Sequence, residues 1–182
     1  KESPIIPPNV ERRQDRQLTL LLQLSMEQEV YDKEGGQSLM RILHTSDWHL
    51  GQKLCNLERF AEHDFFLEHL LQLIREQQVD CLLHAGDIFD TANPPNQALR
   101  QYFNFLRRLH EETNCRQAIL VGGNHDSVPT LQAPQRLLEV LQVHVVGGLP
   151  ADPAEQLIPI QGADGEEALV CAVPFLRDAD LR

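Results

Sequence analysis

The chain has 182 residues, 42% of them apolar, and a formal net charge of −11; that suits one domain with its own core, or one domain plus an extension. It holds no apolar run of the ~18 residues a membrane span needs and no charged-then-apolar signal segment at its start, which points to a cytoplasmic protein with no membrane partner. So acidic a balance argues against a nucleic-acid binder with its own basic face, unless divalent cations offset the charge locally.

Residues 1–39 differ from the remainder of the chain. Pro4, Pro7 and Pro8 make the start extended, and the leucine-rich stretch 14–30 fits a helix or, around LTLLLQL, a strand. Gly35 and Gly36 then break the pattern. Met40 stands directly before the first clear strand and reads as a natural start, whereas the chain itself opens on Lys1. Residues 1–39 are therefore read as an extension of unassigned role that need not be native to the domain at 40–182. The whole is read as a fragment.

From Met40 onward strands and helices alternate. Residues 41–45 form strand one. Asn56 is placed to cap a helix over 57–77, with Phe60, Phe66, Leu67, Leu70, Leu71 and Ile74 near helical spacing. Residues 79–85 form strand two, and Pro94 and Pro95 mark a loop. A second helix over 97–111 carries Leu99, Tyr102, Phe103, Leu106 and Leu109 as its apolar stripe. Residues 117–121 are strand three, and Pro134 opens a short helix through Leu141. Residues 143–146 are strand four, and 156–160 with 168–173 form a hairpin about the turn at 162–165. Strands separated by helices imply βαβ units and a largely parallel sheet.

The four cysteines, Cys55, Cys81, Cys115 and Cys171, form no CxxC pair. They are read as reduced thiols of an intracellular protein.

Three apolar strands each run into oxygen and nitrogen ligand types. After the first come Asp47 and His49, which on an extended backbone project to one side and can share a divalent ion. Gly51 lets the backbone turn away behind them. After the second comes Asp87, with Ala85 and Gly86 clearing space around it and Asp90 three residues on as a supporting carboxylate or a helical cap. After the third comes the stretch from Gly122 to Asp126. Asn124 can offer a carbonyl oxygen to a metal, His125 can donate a proton to a leaving oxygen, and Asp126 can hold the imidazole in its tautomer.

Each pattern alone is common in turns. Together they lie roughly forty residues apart after successive strands, and a parallel sheet brings all three to one edge. Asp87 then lies between the other two and is placed to bridge two metal ions. Carboxylate, amide and imidazole donors suit manganese, iron or zinc better than calcium. Two metals sharing a carboxylate form the known clamp for phosphoryl displacement. His44, His84 and His144 lie in strands and are read as structural. His63, His69 and His110 are read as surface residues of helices.

The order DxH, GDxxD, GNHD over residues 40–182 resembles the calcineurin-like metallophosphoesterase superfamily. The wording HTSDWHLGQ, AGDIFDTANPP, GNHDS and VPFLR is similar to its bacterial DNA-nuclease branch. The resemblance implies an α/β fold, the four-layer α/β/β/α sandwich of that superfamily, of which this chain would be the N-terminal portion. It implies a two-metal nuclease, with manganese foremost, that hydrolyses DNA phosphodiesters in repair, recombination and replication. Its partners would be DNA and an SbcC-type coiled-coil ATPase, and the full-length subunit would form a homodimer. Carried over, Asp47 and His49 hold one metal, Asp87 bridges, Asn124 holds the second, and His125 is catalytic with Asp126 behind it. In some archaeal relatives a histidine stands where this chain has Asp90. The family completes its site with three later histidines, two in a GHxH motif. After His125 this chain has only His144, so activity is expected of the full-length protein. Two other readings compete: a different phosphoesterase, such as a phosphatase or small-molecule phosphodiesterase, and a non-catalytic assembly module. Thr91 stands where the phosphatase pattern has arginine, which counts against the first.

Overall fold

The computed structural model describes residues 40–177 and Asp180; the reading of residues 1–39 lies outside the described residues. Strands β1 (Ile42–Thr45), β4 (Cys81–His84), β5 (Gln117–Val121) and β6 (Val143–Val146) form one parallel sheet in the order β1-β4-β5-β6. Between them lie a short hairpin, β2 (Lys53–Leu54) and β3 (Leu57–Glu58), and the helices α1 (Phe60–Glu76), α2 (Asn96–Glu112), α3 (Val128–Gln132) and α4 (Gln135–Val140). A 3-10 turn (Pro153–Gln156) leads into the antiparallel hairpin β7 (Leu157–Gln161) and β8 (Glu167–Cys171).

The register fixes where function can sit. Thr45 pairs with His84, His84 with Leu120, and Leu120 with Val145. The strands therefore end flush, and the segments after β1, β4 and β5 leave the sheet side by side, with the β4 segment in the middle. Alternation then sorts the side chains. Leu82, Ala118, Leu120, Val143 and Val145 face one way and pack with Leu67, Leu71, Ile74, Phe105 and Leu106 of the helices into the larger core. Cys81, Ile119 and Val146 face the other way and meet Ile158, Ile160 and Ala172 of the hairpin region. The described layers are thus helices, parallel sheet and hairpin, three of the four expected. Toward β1 the second sheet face is open: Ile42 is 43% exposed and His44 is exposed. His44 is therefore not the packed strand histidine expected.

The hairpin is moored at the opposite end of the sheet. The Asp80 carboxylate accepts from Arg41 N at 2.8 Å and from Ala163 N at 3.2 Å. The Gln117 side chain donates to Pro159 O and accepts from Gln161 N.

Several local expectations change. Asn56 caps no helix. Cys55 and Asn56 both have positive φ, 49° and 64°, and form the two-residue turn of the β2–β3 hairpin, the backbone that a type I′ turn requires. The first helix starts three residues later, at Phe60. His63 is buried, not on the helix surface, because it shares the inward face with Leu67, Leu70 and Ile74. On α2 the inward aromatics are Tyr102 and Phe105; Phe103 lies toward solvent at 37% exposure. The stretch around Pro134 gives two short helices, with Ser127 Oγ capping the first.

His84 is almost fully buried. Its Nδ1 accepts from Gly86 N at 3.2 Å, and Trp48 meets its ring edge-on at a centroid distance of 4.4 Å. Burial pushes its pKa down to about 3, and burial also lowers that of His63. Below the unfolded histidine value the unfolded chain gains a proton that the folded ring refuses, so stability falls as pH drops. Urea unfolding should show His84 costing about 2 kcal/mol between pH 6.5 and 5. In His84→Asn, which keeps an acceptor near Gly86, the loss of stability over that interval should shrink by about that amount; an unchanged pH dependence would show that the buried ring does not resist protonation.

Candidate metal centre

Beyond the sheet edge the three segments stay bonded to one another. Asp47 N donates to Gly86 O, His49 N to Asp87 O and Leu50 N to Ile88 O, at 3.0, 3.0 and 2.9 Å. Asp90 N donates back to Leu50 O at 3.2 Å, and Leu50 bridges Phe89. The segments after β1 and β4 thus run on as a pair. Trp48 anchors the first: its indole N–H donates to Thr45 Oγ1 at 3.1 Å, and its ring packs against Phe66, His84 and Phe105.

The third segment is tied in by Asp126. Its carboxylate, 2% exposed, accepts from Ile88 N at 3.2 Å, Phe89 N at 3.0 Å and Gly123 N at 2.9 Å. This corrects the role expected for it. Asp126 does not hold the His125 ring; it joins the β4 and β5 segments through three amides. The His125 ring is held instead at Nδ1, which donates to Asp90 O at 2.7 Å.

Asp47 and His49 do converge, by a different backbone from the one expected. Asp47 (φ 57°), His49 (φ 44°) and Asp87 (φ 56°) all sit in the left-handed region, which non-glycine residues seldom occupy and which collects at functional sites. The side chains meet because the backbone coils, not because an extended strand alternates. His49 Nε2 lies 3.6 Å from Asp47 Oδ1 and 3.8 Å from Asp87 Oδ2, and His49 Nδ1 lies 3.4 Å from Asp90 Oδ1. Asp87 Oδ1 accepts from His125 N at 3.0 Å, so Asp87 touches both neighbouring segments. Asp47, Asp87 and Asn124 line one open cleft of about 360 Å³, together with Gly86, Gly122, Gly123 and Phe175.

The glycines make that closeness possible. A Cβ on Gly123 would fall 2.1 Å from Asp87 Oδ1, and one on Gly122 would fall 2.3 Å from Gly147 O. Gly86, at φ +108°, has Gly123 Cα 3.0 Å from where its own Cβ would be.

The donor set fits divalent ions. Asp47, His49 and Asp87 each offer one ligand atom within 4.8 Å of the others, and His49, Asp90 and His125 form a second such group. Among the described residues, Asp47, Asp87 and Asp90 form ion pairs with His49 alone and with no Lys or Arg. Clustered carboxylates without a balancing cation repel, and a bound divalent ion answers that charge. His49 Nδ1 is buried with no aligned hydrogen bond. The His125 imidazole is held above its ordinary pKa, first by its hydrogen bond to the Asp90 carbonyl and then by the carboxylates of Asp87, Asp90 and Asp126.

Sequence reasoning placed Asp47, His49, Asp87, Asn124 and His125 at this edge. It missed the double engagement of Asp90, whose carboxylate meets His49 and whose carbonyl holds His125. It also missed the part of the cleft lining formed by Val173, Pro174 and Phe175, whose signal was the proline three residues past the last strand.

Comparison with known proteins places the chain in a family. The chain is 44% identical over 148 residues to the SbcD subunit of the SbcCD nuclease of Rhodobacter capsulatus, covering 78% of this chain and 36% of that protein. Identity to the SbcD subunit of Escherichia coli K12 is 44% over 143 residues, covering 78% and 34%. Identity to the DNA double-strand break repair protein Mre11 of Sulfurisphaera tokodaii is 38% over 106 residues, covering 56% and 27%. The chain spans about a third of the length of these relatives. The family model for calcineurin-like phosphoesterases matches residues 40–167, so with its α/β fold and its cluster of divalent-metal donors the chain belongs to the calcineurin-like phosphoesterase family.

Proposed function

We propose that residues 40–182 are the N-terminal portion of a DNA nuclease subunit that hydrolyses phosphodiesters with two divalent ions, manganese foremost. In this reading residues 1–39 are an extension. The longer protein works with a coiled-coil ATPase in DNA repair, as a homodimer. The observation that carries the reading is that Asp47, Asp87 and Asn124 line one cleft at the sheet edge, with His49 Nε2 within 4 Å of both carboxylates. The names of the relatives, the SbcD subunit of a nuclease and the break-repair protein Mre11, support DNA as the substrate.

Asp47 and His49 would hold one ion, Asn124 the other, and Asp87 both. Bound divalent ions supply Lewis-acid polarisation of the phosphodiester and a water that ionises near neutral pH. The chain's own residues do the rest. His125, with Nδ1 occupied by the Asp90 carbonyl, has Nε2 left as its proton-donating atom for the leaving oxygen. The hydrogen bond to the Asp90 carbonyl keeps a proton on Nδ1 and fixes the orientation of the ring. Asp90 is a positioning residue, orienting His49 through its off-side nitrogen as outer carboxylates do for ligating imidazoles. Asp126 fixes the spacing between the Asp87 and Asn124 segments. A phosphatase reading is weaker, because Thr91 follows Asp90 where an arginine would serve a phosphomonoester.

Three outcomes are expected. First, the donors present here are fewer than two six-coordinate ions use, so manganese-dependent cleavage of DNA should be weak for residues 1–182 and strong for a protein of the relatives' length. Equal rates, both abolished by Asp87→Asn, would show that this chain suffices. Second, in the longer protein Asp87→Asn should lose metal binding and cleavage together, while His125→Ala should keep metal in a calorimetric titration and lose about 10²–10⁴-fold in turnover. Loss of metal from His125→Ala would make it a ligand; full activity would remove its catalytic role. Third, Gly123→Ala should weaken metal binding as Asp87→Asn does, because its methyl overlaps the Asp87 carboxylate, at a stability cost of about 1–3 kcal/mol. Unchanged affinity would show that Asp87 can move without consequence.

A further inference from the structure

The cleft lining is of two chemical kinds. Asp47, Asp87, Asn124 and glycine backbone make one part of it; Val173, Pro174 and Phe175 make another. Phe175 is 51% exposed although it stands beside charged groups, whereas Pro174 is buried. Its position is not loose: Phe175 N donates to Gly122 O at 2.8 Å, two residues before Asn124, and the Pro174 ring fixes the backbone that precedes it. The backbone of Phe175 is therefore held directly against the segment that presents Asn124 and His125.

A bare phosphate or a phosphorylated side chain has nothing to offer such a wall. A nucleotide has both halves of the match: a phosphodiester that the donor side would take through the divalent ions of the nuclease reading, and a flat base for the aromatic side. A phenyl ring has no hydrogen-bonding atom with which to read base edges, so its contribution is tolerant of sequence. A base inside a duplex is already stacked on both faces and must be unpaired to use it.

Resting on the nuclease reading above, we propose that Phe175 is a stacking platform for the unpaired nucleobase next to the scissile phosphate.

The test uses the full-length protein that contains this chain, with its ATPase partner where cleavage needs one. Oligonucleotides carrying either a normal base or an abasic sugar beside the scissile phosphate are cleaved by wild type, Phe175→Ala, Phe175→Leu, Phe175→Trp and Leu169→Ala. Leu169 is the control, an exposed apolar residue on β8. For the base-bearing strand, Phe175→Ala and Phe175→Leu should raise KM about 10- to 100-fold, while for the abasic strand they should change it less than about twofold. Phe175→Trp should restore wild-type KM, and Leu169→Ala should leave both substrates unaffected. A 2-aminopurine base at that position should be quenched on binding to wild type and Phe175→Trp but not to Phe175→Ala. Equal losses on both substrates, or none on either, would overturn the platform and leave the nuclease reading standing. Failure of the wild type to cleave or quench either strand would overturn both.

Discussion

The Asp126 carboxylate is the contact on which the site most depends. It is a buried negative charge, and such a charge is tolerable only when its oxygens are fully engaged. Here the engagement comes from three backbone amides on two segments. Charge-assisted bonds of this kind are stronger than neutral ones and set a fixed distance. That distance places Asp87 against the backbone of His125. It also leaves only enough room between the segments for a residue without a Cβ at position 123. The flush ends of β1, β4 and β5 bring the three segments to one edge; Asp126 turns that proximity into a geometry.

The sheet itself was legible because β4, β5 and β6, largely buried on both faces, read as short apolar runs, and turn residues bounded each strand. Strands over 117–121 and 143–146 match residue for residue. The start of the first helix was not legible because Asn56 has two uses, helix cap and left-handed turn, and only the pairing of Lys53 with Glu58 decides between them. His63 was misplaced because one polar residue on an apolar stripe looks like surface until the stripe is seen to include it. Phe103 and Phe105 are two residues apart on one helix, and only contact with the sheet tells which of them turns inward.

At the site, residue types were legible and wiring was not. Asp, His and Asn after successive strands announce ligands by their chemistry. Asp126 and Asp90 are also carboxylates, and nothing in their spelling says that one bonds amides while the other divides its oxygens between two histidines. The first assignment depends on backbone N–H groups and the second on a backbone carbonyl, groups that no motif encodes. The left-handed turn at His49 was equally hidden, because histidine carries little of the bias toward positive φ that glycine advertises.

The three left-handed residues Asp47, His49 and Asp87 also bear on how the chain responds to its surroundings. Each costs about 1 kcal/mol relative to an ordinary backbone conformation, and clustered carboxylates add their mutual repulsion. The folded chain thus carries a local penalty that glycine or a neutral side chain would relieve, and mutational drift toward stability runs against the site. An ion that binds the folded chain and not the unfolded one repays the penalty in proportion to the logarithm of its concentration. A divalent ion bound at these donors would therefore raise the stability of the folded chain, and its removal would lower it.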